Sequence, residues 1–134
     1  MRRPEHGFVA VEWVAAVGLL LLPIIMLVAT LPVWAERRNA ATVSAREAAR
    51  LLVRQWPDAD SGAATRVARE VIADHDVGAD GVRVRVDAGG EDRGAYVRVA
   101  VEVTMPAIAV LGMRAGSWHY TAVAVRRIDD YRSR

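Results

Sequence analysis

The chain has 134 residues, 53% of them apolar, and a net charge of +2 from 18 basic and 16 acidic side chains. That length fits one small domain plus a membrane-directed segment. With no Cys, a disulfide framework, a zinc–thiolate site and a thiol nucleophile are excluded. The basic residues are all Arg and alternate with acids, so the coherent basic face that nucleic acid needs is not expected.

The chain opens with a short basic leader, residues 1–7, MRRPEHG. Phe8 then begins an apolar stretch that contains Glu12, although a carboxylate near a bilayer core costs roughly 2.5–3.5 kcal/mol. From Trp13 to Ala35 no residue is charged. As a helix those 23 residues span roughly 34 Å, enough for a hydrocarbon core of about 30 Å. Pro23 and Pro32 fall within the run, each a candidate kink that a membrane helix tolerates. A cleaved secretory signal is the competing assignment, since Val33-Trp34-Ala35 loosely imitates its cut site. Its apolar core usually covers only about 7–15 residues, so an uncleaved span over 8–35 fits better.

Residues 36–56 contain no helix breaker, and Ala41, Ala45, Ala48, Leu52 and Trp56 recur at helical spacing. The spacing predicts a helix running on from the apolar segment to Trp56. Arg46, Arg50 and Arg54 form a row of like charges that needs solvent, lipid phosphate or acids nearby. Pro57 stops the helix, and Asp60 and Ser61 are candidate caps for a second one over about 62–74. Its buried stripe is Ala64, Val67, Ala68, Val71 and Ile72, with Arg66 and Glu70 spaced to pair outside.

The period then changes to two. Val82, Val84 and Val86 alternate with charged residues, as do Val97, Val99, Val101 and Val103 after the turn-forming AGGEDRG. A third strand is expected over about 117–127. The fold class is therefore α+β: a long N-terminal helix, a second helix, and an antiparallel sheet of about three strands in a domain over 57–134. Between the second and third strands, residues 105–116 (MPAIAVLGMRAG) read as an apolar loop. Ile108, Val110, Leu111 and Met113 in that loop are candidates for membrane or partner contact.

The chemical candidates are few. Asp74-His75-Asp76 diverge at a helix end, His119 alternates along a strand, and no Ser has a nucleophile context. Gly89-Gly90 reads as a hairpin turn and not a phosphate cradle, because no helix follows. No enzyme, metal or cofactor is expected.

Glu12 is tolerable where a cation neutralises it. Nothing in its own span can do so, but cleavage between Gly7 and Phe8 would create an amine four residues away, able to reach the Glu12 of a neighbouring subunit. A basic leader ending in Gly, then Phe, then Glu at the fifth position and a long apolar helix resembles a type IV prepilin (class III) signal. The whole layout is similar to the TadE/TadG-like pseudopilins of tight-adherence (Flp) pilus systems, although Pro23 lies farther from Glu12 than is usual there. The resemblance implies a membrane-anchored assembly component, with Gly7 and Phe8 flanking the prepilin-peptidase cut and Glu12 as the assembly carboxylate. It implies membrane lipid, pilin-like subunits and prepilin peptidase as partners, with the N-terminus cytoplasmic and the domain outside. The Arg count opposes that orientation: Arg2 and Arg3 precede the span, while Arg37, Arg38, Arg46, Arg50 and Arg54 follow it. The rival function is a single-pass membrane protein with a small partner-binding domain, neither processed nor assembled.

Overall fold

The computed structural model describes residues 6–58, 60–75, 77, 81–89, 95–110 and 113–128, with the side chains of 6–9 and 110 outside that description. One helix, α1, runs from His6 to Gln55. Its 50 residues make a rod about 75 Å long. Both Pro23 and Pro32 lie inside it, so neither ends the helix. The long charge-free run supplies good helix formers such as Leu and Ala, and α1 continues one residue short of Trp56.

Asp60 starts the second helix, α2 (Ser61–Asp74), with extended backbone. Its carboxylate accepts the Gly62 N–H at 2.7 Å and the Ala63 N–H at 3.0 Å, which satisfies two donors that a helix start leaves open. Arg66 lies 3.5 Å from that same carboxylate, so it turns back to the cap where spacing alone suggested Glu70. Ala64, Ala68 and Ile72 are buried, while Val67 and Val71 are half-buried on the same stripe.

Three strands follow: β1 (Arg83–Gly89), β2 (Tyr96–Val110) and β3 (Met113–Arg127), antiparallel and in the order β1-β2-β3. The register pairs Val86 with Val99 and Ala100 with Val123. The turn residues 90–94 lie outside the described residues. Alternation places Val97, Val99, Val101, Val103 and Met105 on the inner face, each at most 1% exposed. Against them lies a seam of alanines on α1: Ala40, Ala41, Ala45, Ala48 and Ala49, with Leu52 at its end. Such short side chains let the helix axis approach the sheet closely. α2 contributes Ala64, Ala68 and Ile72 to the same core.

One expectation changes. Residues 105–110 and 113–116, expected as loop, are strand: β2 and β3 extend to the paired residues Val110 and Met113, so β3 begins four residues before Ser117. The extended β2–β3 hairpin also reaches past the helix extension expected over 36–56 and covers α1 from Thr30 onward. Thr30 is 1% exposed, whereas Val11, Leu19, Ile25 and Val28 are all open.

Candidate functional site

The first half of α1 stands bare. From Ala10 to Ala29 only Met26 is even half-buried, and the helix is long and apolar enough to cross a membrane. Residues 10–29 number 20 and span roughly 30 Å, so this bare part alone matches a hydrocarbon core of about 30 Å. The free segment therefore matches the required length after six residues have been given to the domain.

Glu12 lies on this surface, exposed, and with Trp13, Ala16, Val17 and Leu20 it lines a shallow apolar groove on the helix. Among the described residues its carboxylate joins none of the ion pairs, which involve Glu47, Asp60 and Glu102. Gly7 and Phe8 have helical backbone in the first turns of α1, and their side chains lie outside the description.

The second feature is the far end of the β2–β3 hairpin. β1 pairs with β2 only as far as Glu102, so among the described residues no strand lies beside that edge of β2 beyond this point. α1 takes over as the hydrogen-bonding partner. Arg37 donates to the Thr104 carbonyl. The Trp34 indole N–H donates to the Pro106 carbonyl at 2.6 Å. The Thr30 hydroxyl donates to the Met26 carbonyl at 2.7 Å and accepts the Ala109 N–H at 3.2 Å, with the Ala109 carbonyl 3.4 Å away. Partner numbers fall on α1 as they rise on β2, so the hairpin points toward the N-terminus of α1. Pro106 suits this edge, since its missing N–H faces the helix and removes no bond from the β3 ladder.

Aromatic contacts reinforce the junction. The rings of Trp34 and Trp118 meet edge to face with centroids 6.2 Å apart, and the Arg38 guanidinium sits 5.9 Å from the Tyr120 ring centre. Burial, and secondarily the positive charge of Arg114, hold the Arg37 guanidinium below the ordinary arginine value, while Glu36 opposes them.

Of the residues expected at a membrane or partner contact, Ile108 and Met113 are exposed, at 42% and 71%. Val110 is paired with Met113 in the ladder, and Leu111 lies outside the described residues. Thr30, Trp34 and Arg37, which hold the hairpin in place, were not singled out by sequence. Their signal was faint, being three donors at four- and three-residue spacing where the apolar run ends.

At the other end of the domain the Arg row meets β3. Arg46 and Arg50 share a hollow of about 330 Å³ with Glu47 and Arg126, and Arg50 and Arg54 share an adjoining one with Arg126 and Arg127. Glu47 lies 3.2 Å from Arg50 and offsets part of this charge. His75 serves as the C-cap of α2, with its Nδ1 2.8 Å from the Val71 carbonyl oxygen. Among the described residues no three His, Asp or Glu side chains converge as metal ligands would.

Compared with protein-family models, curated proteins and solved structures, the chain matches none.

Proposed function

We propose that the chain is a membrane-anchored, pilin-like assembly component of the tight-adherence type, with its folded domain outside the cytoplasm. The observation that carries the reading is the division of α1: a bare apolar half containing one acid, continuous with a half that is the backbone of the domain. A helix built this way can leave the bilayer for a bundle of like helices without unfolding the domain, since among the described residues nothing buries α1 between Ala10 and Ile25. Processing between Gly7 and Phe8 supplies an amine, and Glu12 of an adjacent subunit supplies its counter-ion in a medium where neither charge is stable alone. The partners are then membrane lipid, other pilin-like chains and a prepilin peptidase. No catalytic role is proposed for any side chain.

Amino-terminal sequencing of the protein from cells carrying a cognate prepilin peptidase should read FVAVEWV. An intact Met1 or Arg2 terminus would leave the rival reading, a single-pass protein that binds a partner without being processed. A start at Glu36 would indicate a secretory signal instead.

A further inference from the structure

We infer that the end of the β2–β3 hairpin is a membrane-seating element, with Ile108 and Met113 resting in the outer leaflet of the membrane that α1 crosses. The inference rests on the reading of α1 as the membrane anchor and adds a second contact, made by the domain itself. Depth is the first argument. The bare segment ends at Ala29, and the Thr30–Ala109 hydrogen bonds hold Ala109 beside the first helix residue past it. The paired residues Val110 and Met113 lie one strand position farther toward the N-terminus of α1, about 3.3 Å along the strand. With residues 10–29 filling the hydrocarbon core, this end of the hairpin lies at the boundary between headgroups and acyl chains, the depth that interfacial apolar surfaces occupy.

Surface chemistry is the second argument. By register Ile108 and Met113 share one strand face with Ala115, and all three are exposed. At the same height on α1, Leu27, Val28 and Leu31 are about half exposed, so hairpin and helix both present apolar surface at this level. An apolar patch on a free domain in water would lack a compensating partner, whereas here lipid lies at the same level. About one helical turn outward, roughly 6 Å, sit Trp34 and Trp118, the residue type enriched at membrane–water interfaces. Arg114, exposed on the opposite strand face from Met113, is placed to reach headgroup phosphates. From the tip outward along β3 come Met113, then Arg114, then Trp118, so the tryptophan pair is the outermost of the three and Arg114 extends toward the headgroups from the apolar level.

The chain has no Cys, so single labels are straightforward. Four full-length variants, Ile108→Cys, Met113→Cys, Gly18→Cys and Arg85→Cys, would carry an environment-sensitive fluorophore in phosphatidylcholine vesicles containing phosphatidylglycerol. Nitroxides attached to lipid near the headgroup or at mid-chain, and a water-soluble nitroxide, are the quenchers. Gly18 is the control for the span, with open space where a side chain would go, and Arg85 is exposed on the far side of the sheet. Labels at 108 and 113 should emit at shorter wavelength than the label at 85 and lose most emission to the headgroup-proximal nitroxide. The label at 18 should lose most to the mid-chain nitroxide. Quenching of 108 and 113 by the aqueous nitroxide alone, with 18 still quenched from mid-chain, overturns the seating and leaves the anchor intact. Failure of lipid nitroxides to quench 18 overturns the anchor reading and the seating with it.

Discussion

Glu12 and Thr30 are the two residues of the apolar stretch that carry hydrogen-bonding side chains other than indole, and their surroundings differ completely. Glu12 is exposed on bare helix, while Thr30 is sealed under β2. Replacing Thr30 with Val keeps the shape but strands the buried Ala109 N–H, a loss of about 1–3 kcal/mol. Unfolding of the detergent-solubilised protein should register that loss, with faster amide exchange at Ala109 before the rest of the sheet. For Glu12→Ala the expectation is the reverse: an unchanged melting curve and failed assembly. Breaking a buried ion pair costs about 3 kcal/mol or more, which is at least about 100-fold in association. Pull-down of tagged wild-type and Glu12→Ala protein from solubilised membranes measures this, and equal recovery of partner pilins would reduce Glu12 to an interfacial residue. Glu12 stands out in the sequence because an acid in an apolar run is costly wherever it sits. Thr30 does not, because a lone Thr is common in such runs and its partner lies 79 positions away.

Among the elements, α2 was the most legible, since its cap, its stripe and its end are all local signals. Asp60→Ala should cost about 1 kcal/mol through the two freed N–H groups, read as a lower melting temperature with faster exchange confined to the first turn of α2. The contact with Arg66 adds little, being exposed on both sides. The hairpin end was misread for an equally physical reason. Residues 105–116 contain Pro106, Gly112 and Gly116, which punctuate loops, and their apolar side chains do not alternate. What makes them strands is the surface of α1, whose side chains bond the edge that β1 leaves open. Gly116 adopts a left-handed φ of +67°, and a side chain there would come within 2.9 Å of the Ala107 Cβ. A breaker in sequence is thus the residue that lets the two strands approach.

For the whole molecule, orientation turns on the weight of the positive-inside count against that of the proposed prepilin-type leader. The arginines after the apolar segment are not equivalent counters of charge, since Arg37 is buried on the Thr104 carbonyl and Arg38 lies over Tyr120. Both are parts of a folded unit, and folded translocated domains weigh less in that rule than short flexible loops. An alkaline phosphatase or β-lactamase fused after Arg134 should therefore be active, showing the domain outside. Activity of a cytoplasmic reporter alone at that position would reverse the assignment. The α+β architecture itself followed from two periodicities read correctly, whereas the height at which the domain meets the helix depended on contacts no periodicity encodes.

The bonds from Thr30, Trp34 and Arg37 to β2 have a mechanical consequence. They run crosswise between a helix and a strand lying alongside it, spread over the eight helix positions from Thr30 to Arg37. A pull along the axis of α1 would load them in shear, so that they resist together, whereas a peeling force at one end would open them in turn. The direct continuity of α1 leaves no slack linker to absorb such a pull. Traction on the apolar end is delivered to the sheet at once, and the folded domain moves as the head of its own rod.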